Sequence, residues 1–350
     1  MNNNDETGSQ NGRPTPNGHR PIHDTALLLT RCILFLLGVV AYIVTQRTPR
    51  RSYNAMRNIY GPTNGYFNRA ALRILRFLQK PSPPKHITGF LGVLTPDEVH
   101  RISELLARDG YAMLPLTVPP ALCQQLHAFA LSHPSMPIGF ESMVQYKAEC
   151  AEAIRYDYEE SSILQCPAAC TIAFDGTLET IAETYFKCKP IYDFSAMWWT
   201  TAKGKKAYST AAQKFHFDMD RLFFLKFFIY LTDVHAESGP HVYVSGSHNT
   251  KPRHLRDPIR FEDEEVFRHY PPTAVKSICG PAGTIFAADT RALHKGMPVV
   301  VGDRLVFQVE FTICKFGQAY NVSPIYREPL RKAGIALPLD QYTYRNPINS

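Results

Sequence analysis

The sequence predicts a mainly β domain with flanking helices, an all-β sandwich or barrel, preceded by a single transmembrane helix. Three observations carry this. From residue 190 onward, short apolar or alternating runs are separated by turn signals: IYDFSAMWWTT, LFFLKFFIYLTDV, HVYVSG, AVKSICG, GTIFAAD, HKGMPVVV and RLVFQVEFTIC. Ahead of them, residues 95–133 hold two segments with helix start and stop signals. Residues 26–45, ALLLTRCILFLLGVVAYIVT, are almost wholly apolar. Across all 350 residues, 45% are apolar and 20% charged. That balance is ordinary for a globular chain and excludes wholesale disorder, collagen, a coiled coil or a multi-span membrane protein.

Residues 1–24 are rich in Asn, Gly and Pro, nearly without aliphatics, and are expected to be a disordered tail. In segment 25–46 the uninterrupted apolar run, Cys32–Val44, is thirteen residues long. It reaches the roughly 20 residues of a bilayer span if Ala26–Thr30 are included and Arg31 snorkels to the headgroups. A cleavable signal sequence is the rival, but no small-x-small site follows the run. Arg47, Arg50, Arg51 and Arg57 crowd its C-terminal side. They predict a single-pass protein with its large domain in the cytoplasm.

Residues 47–94 read as a basic juxtamembrane segment and linker. Residues 25–96 hold ten Lys or Arg and no Asp or Glu, so most of the net charge of +7 is local to this part. The main domain is slightly acidic and no nucleic-acid partner is expected. Within the basic segment, 66–80 predicts an amphipathic helix. Arg69, Arg73, Arg76 and Lys80 share one face, which suits either a lipid interface or the surface of the domain. PSPP at 81–84 ends it.

The domain is placed at 95–316, with 317–350 as a C-terminal extension. TPDEVHRISELLARDG carries an N-cap threonine, a proline at the first helical position, acids in the first turn and a terminal glycine. YAMLPL is the first predicted strand. Pro119 and Pro120 open a second helix, ALCQQLHAFALSH. The eight cysteines include no CxxC pair and are too sparse for a secreted disulfide scaffold, which fits free thiols. Glycine-rich phosphate loops are absent.

Chemistry enters at QKFHFDMD. His216 and Asp218 lie two apart on a predicted strand, so both side chains leave one face, toward the inside of the barrel. Two ligands are too few for a metal. His294, 78 residues on, is the preferred third, and Arg304 opens the alternating run RLVFQVEF ten residues later. Two histidines and one carboxylate suit Fe(II) and leave coordination positions open. An arginine nearby suits the distal carboxylate of a dicarboxylic cosubstrate. His248 competes as third ligand. His235 and His241, beside Gly239-Pro240, read as turn residues. Lys226, inside an apolar run, either points inward to an anion or sits on an edge strand. Trp198, Trp199, Phe223 and Phe224 read as core aromatics, with pocket lining as the alternative, and Asn321-Val322-Ser323 is a lone sequon at chance frequency.

QKFHFDMDRLFFLKFFIYLTDVHAESGPHVYVSGSHN and LHKGMPVVVGDRL, with RDGYAMLP before them, resemble the phytanoyl-CoA dioxygenase family of Fe(II)/2-oxoglutarate oxygenases. The resemblance covers roughly 96–315. It implies a double-stranded β-helix (jelly roll, cupin-like) and oxidative decarboxylation of 2-oxoglutarate to succinate with consumption of O2. His216, Asp218 and His294 match the family's iron ligands and Arg304 its 2-oxoglutarate anchor. The GSH at 246–248 matches a recurrent turn. Halogenating relatives lack the carboxylate ligand, so Asp218 implies a hydroxylase. The segment ahead of 96 has no counterpart in the family core and suggests a lipid-linked or other small-molecule substrate. Two other classes stay open: a non-catalytic membrane-tethered jelly-roll binding module, and a cupin-type metalloenzyme that does not use 2-oxoglutarate.

Overall fold

The computed structural model describes residues 21–78, 87–203, 211–337 and 339–349. Most of the tail expected over 1–24, together with Lys80 and the proline run 81–84, lies outside the described residues.

Two antiparallel sheets face each other. The larger is built from β1 (Tyr111–Thr117), β2 (Pro134–Pro137), β3 (Val144–Gln145), β4 (Arg155–Asp157), β5 (Ile191–Thr200), β6 (Phe224–Tyr230), β9 (Thr284–Ala288) and β11 (Arg304–Thr312). Its order is β1-β9-β6-β11-β5-β4-β2-β3. The smaller is β8-β7-β10, with β7 His241–Val244, β8 Val275–Ile278 and β10 His294–Gly296. Two bridges, His216 to His294 and Phe215 to Phe261, widen it by two more short segments. Every strand expected from residue 190 onward is present. QKFHFDMD is the exception in kind: it pairs only through these bridges and is not a continuous strand.

Alternation along the strands sorts the side chains. On β11, Leu305, Phe307, Val309 and Phe311 face the main core, where they meet Leu225, Phe227 and Ile229 of β6. Arg304, Val306, Gln308 and Glu310 face the gap between the sheets. There Val306, Phe228, Tyr230 and Phe286 pack with Tyr243 and Ile278 of the smaller sheet. On the outside of that sheet Phe215, Phe217, Val242, Val244, Phe261 and Leu293 form a separate cluster.

Helices cover the outer face of the larger sheet. α4 (Pro96–Asp109) starts at a Thr95/Glu98 capping box and ends at Gly110 in the left-handed region. α5 (Pro120–Ser132) and α6 (Gly176–Phe186) complete this layer. Asp175 caps α6 through the Thr177 amide, at 2.8 Å.

The basic segment is no free linker. α2 (Arg50–Thr63) buries Met56, Ile59 and Tyr60, and Tyr60 closes the outer cluster of the smaller sheet. α3 (Tyr66–Leu78) is docked on the domain. Asn68 Nδ2 donates to the Leu222 carbonyl, Arg69 to Asn249 O and Arg76 to Phe186 O, at 2.8, 2.8 and 2.6 Å. Two of the cations that share this face, Arg69 and Arg76, therefore donate to backbone carbonyls of the domain, the second of the two settings expected for it. α1 (Pro21–Thr45) has the length and apolarity of a span over Thr25–Thr45. It also carries a docking stripe. Leu28, Cys32, Phe35, Val39 and Tyr42, at spacings of four and three, pack against α2, Phe67 and Phe316. A Cβ on Gly38 would lie 2.2 Å from Ser52 Cβ, so only glycine lets α1 and α2 approach this closely. Arg31 donates to the Asn58 carbonyl of α2 at 3.2 Å.

Candidate metal centre

His216 and His294 are an antiparallel pair that exchanges both backbone hydrogen bonds, at 3.0 and 2.8 Å. Such a pair puts both side chains on one face as neighbours. The ring centroids are 4.3 Å apart. Asp218 joins them from the same face, its amide donating to Thr290 O at 2.8 Å. Asp218 Oδ1 lies 3.7 Å from His216 Nε2, and Oδ2 3.6 Å from His294 Nε2. One donor atom from each of the three lies within 4.8 Å of the others.

The second ring nitrogens settle the tautomers. His216 Nδ1 meets Lys214 O and His294 Nδ1 meets Ala292 O, both at 2.9 Å. A carbonyl only accepts, so each Nδ1 carries the hydrogen and each Nε2 presents a lone pair to the centre. Burial, then the charge of His294, pushes His216 down to about 3. Burial also lowers His294. Both imidazoles are therefore neutral near neutral pH. Burial alone would raise Asp218, but Lys226 together with the two imidazoles outweighs it and holds the carboxyl well below its usual range. Two neutral imidazole nitrogens and one ionised carboxylate form a donor set that fits a divalent metal such as iron.

The turn between β9 and β10 fixes this geometry. Asp289 accepts from Tyr185 Oη at 2.7 Å, and pairs with the Arg291 guanidinium. The turn so held supplies both Thr290 O for Asp218 and Ala292 O for His294.

Lys226 points inward from the middle of the larger sheet, not from an edge. Its Nζ lies 2.8 Å from Asp218 Oδ2, 3.5 Å from Glu310 and 3.6 Å from Asp220. Burial would discharge it, and the three carboxylates outweigh burial to keep it a cation. It contacts the carboxylate of the centre.

Arg304 opens β11 on the inner face and is buried. Its Nη2 donates weakly to Thr200 Oγ1 at 3.3 Å, and its Nε has no partner. Burial pushes it down to about 10. Gly296 leaves it room, since a Cβ there would sit 3.3 Å from Nη2.

His241 is the residue that sequence reasoning misplaced. It lies on β7, not in a turn, and its ring stacks on His294 with centroids 5.4 Å apart. Its Nε2 is buried and unpartnered. The alternation of HVYV, which puts His241 on the face of Tyr243, was the available signal. His248 stays outside the centre: it is buried against α4, with Nε2 at 3.2 Å from Ala107 O. Trp199 and Phe223 pack in the main core, whereas Trp198 faces the gap between the sheets under Arg155.

The phytanoyl-CoA dioxygenase (PhyH) family matches residues 106–303. This span includes all three residues of the cluster and stops one residue short of Arg304. No curated protein matches the sequence. Among solved structures, the chain is similar to the 2-oxoglutarate-dependent epimerase SnoN from nogalamycin biosynthesis, in complex with Fe3+, 2-oxoglutarate (α-ketoglutarate) and nogalamycin RO. Identity is 18%, over 62% of this chain and 84% of that one, with a TM-score of 0.47. HygX from Streptomyces hygroscopicus, with nickel and 2-oxoglutarate bound, is 12% identical over 67% of this chain and 92% of its own, with a TM-score of 0.42. EctD from S. alaskensis, in its apoform, is 16% identical over 67% and 83%, with a TM-score of 0.45. The family match takes in more than half of the sequence, and the chain belongs to the phytanoyl-CoA dioxygenase family of Fe(II)/2-oxoglutarate-dependent oxygenases.

Proposed function

We propose that this protein is an Fe(II)- and 2-oxoglutarate-dependent dioxygenase that hydroxylates a small-molecule or lipid-linked substrate on a double-stranded β-helix. The observation that carries the proposal is the meeting of His216, Asp218 and His294 within 4.8 Å, beside a buried arginine that has no carboxylate partner among the described residues. Iron with 2-oxoglutarate and O2 supplies the oxidising power when bound, and the cosubstrate leaves as succinate and CO2. The chain's own part is holding and orienting. His216 and His294 offer Nε2, with orientation fixed by the Lys214 and Ala292 carbonyls. Asp218 offers one oxygen to the metal while Lys226 holds the other. Arg304 grips the distal carboxylate of 2-oxoglutarate, its unpartnered Nε being a donor kept for that anion. The aromatic walls between the sheets exclude water. No side-chain acid or base is called for.

Purified protein with ferrous iron is expected to convert 2-oxoglutarate to succinate slowly even without substrate. Arg304→Ala should raise the 2-oxoglutarate concentration needed by about 10–100-fold, with ferrous affinity kept. Both are read by succinate assay and anaerobic iron titration. A protein that binds neither iron nor 2-oxoglutarate would be a binding module, and one that turns over without 2-oxoglutarate a different metalloenzyme.

The proposal extends to a membrane. α1 is the attachment, with the catalytic domain on the cytoplasmic side. Its free face exposes Leu29, Ile33, Leu36, Leu37, Val40 and Val44, and Arg47, Arg50 and Arg51 follow at its end. Its docked stripe favours seating in the plane of the interface over crossing, because hydrocarbon cannot surround a helix that packs lengthwise on a folded domain. Each cation near an anionic surface adds about 1 kcal/mol. On sealed anionic vesicles, external protease is expected to cut both the N-terminal tail and the domain. Protection of the tail alone would mean a span.

A further inference from the structure

We propose that Arg260 is the residue that selects the substrate, by binding an oxyanion, a carboxylate or a phosphate ester, carried on it. The inference rests on the iron-enzyme reading above and names the substrate class for the same site.

Register places the residue. The Phe261 amide donates to Phe215 O at 2.8 Å, and the two residues form an antiparallel bridge. Lys214 and Glu262, one step along, are ion-paired at 2.5 Å, as that register requires. One step the other way, Arg260 therefore lies opposite His216. Phe215 and Phe261 are both buried in the cluster outside the smaller sheet. Their neighbours His216 and Arg260 alternate to the other side, toward the metal centre. The electrostatics agree: the Arg260 charge acts on Asp218, His216 and His294.

The guanidinium is also unpaired within the protein. Among the described residues, it has no hydrogen bond and no ion pair, although Lys226, which also faces the centre, has three carboxylates. Asp218, the carboxylate that Arg260 feels, is already held by Lys226. Arg260 is exposed, although the protein atoms around it still lower its pKa. A cation beside a site built for a divalent cation is repelled by its intended occupant. It becomes favourable once an anion lies between them. Arg304 is the other inward arginine without a carboxylate, but it stands by Tyr230 and His241 rather than opposite His216. Two unpaired arginines at different positions around one metal centre fit two different anions. With 2-oxoglutarate on Arg304, the second anion belongs to the substrate.

The test uses full-length protein saturated with manganese(II), a surrogate that does not turn over, and with 2-oxoglutarate. Hexanoate, hexyl phosphate and hexanol are titrated calorimetrically into the wild type, Arg260→Gln and Arg260→Lys. The wild type is expected to bind one of the two oxyanions better than hexanol, and which one distinguishes a carboxylate from a phosphate substrate. Arg260→Gln should weaken that binding about 10–100-fold, with Arg260→Lys in between. The 2-oxoglutarate affinity of both variants should stay within about twofold of the wild type, as for sites that do not share a ligand. The inference is overturned if neither oxyanion binds better than hexanol, if Arg260→Gln binds it undiminished, or if Arg260→Gln loses 2-oxoglutarate instead. Wild-type protein that takes up neither manganese nor 2-oxoglutarate would bring down the iron-enzyme reading itself, a result separate from these three.

Discussion

Asp218→Ala is expected to lower ferrous affinity by at least about 100-fold and to take iron-dependent succinate formation below detection, with the fold intact. Losing an outer partner of a metal ligand already costs about 10–100-fold, and Asp218 is one of only three donors. It is also the only anion among them, so its loss leaves two neutral imidazoles facing a divalent cation. The fold should survive because the change does not strand Lys226. That ammonium retains Glu310 at 3.5 Å and Asp220 at 3.6 Å. One negative charge leaves a cluster of one cation and three carboxylates, which eases crowding among the remaining acids. His248→Ala is the control, since His248 bonds α4 and not the centre. Anaerobic iron titration with circular dichroism on the same samples decides the matter. Wild-type ferrous affinity in Asp218→Ala would remove the carboxylate from the ligand set.

What was legible in the sequence follows from what is local. His216 and Asp218 are two residues apart, so any extended backbone puts them on one face, and a bridge sufficed where a full strand was expected. His294 was found as the third member because it opens one apolar segment just as His216 sits in another. The pairing of the two segments was not visible; only the tertiary fold brings His216 and His294 into register. Lys226 stood out as a charge in LFFLKFFIYL, but its partners come from 218, 220 and 310, and no spacing rule links those. His241 was masked by Gly239-Pro240, whose turn signal is real and ends one residue earlier. α2 was missed for a physical reason. RRSYNAMRNIYGPT has no side-chain cap at Pro49 and carries Pro62 inside the helix. Its helicity depends on Met56, Ile59 and Tyr60 finding a core elsewhere in the chain. The docked stripe of α1 was hidden because the opposite face is just as apolar, which erases the periodicity.

Lys226→Met should produce the largest loss of stability of any single change in the gap between the sheets, about 3–5 kcal/mol near neutral pH. Methionine keeps the volume of the stem, so the loss is of charge and not of packing. Asp218, Asp220 and Glu310 would then crowd one site without the ammonium between them, and among the described residues Glu310 has no hydrogen bond to either oxygen. The sign of the pH dependence follows from the shifts. In the wild type, Lys226 and the two imidazoles together overcome burial to depress Asp218. That group stabilises the fold above its unfolded pKa, and the contribution fades as pH falls through the folded value. Glu310 runs the other way: burial raises it, and Lys226 restrains the rise. Its ionised form opposes folding, increasingly so as pH climbs past the unfolded value. Removing Lys226 deletes the first contribution and enlarges the second cost, and both effects need ionised carboxylates. The stability gap between wild type and Lys226→Met should therefore be widest near about pH 7 and shrink as pH falls, first through about pH 4, where the crowded acids of the variant take up protons, and further below it, where the Asp218 contribution of the wild type fades. Thermal melts of both proteins in chelator across that range measure it without interference from metal. A gap that stayed constant would mean that Lys226 acts through its aliphatic stem, and a gap that widened in acid would reverse the assignment of charge in the cluster.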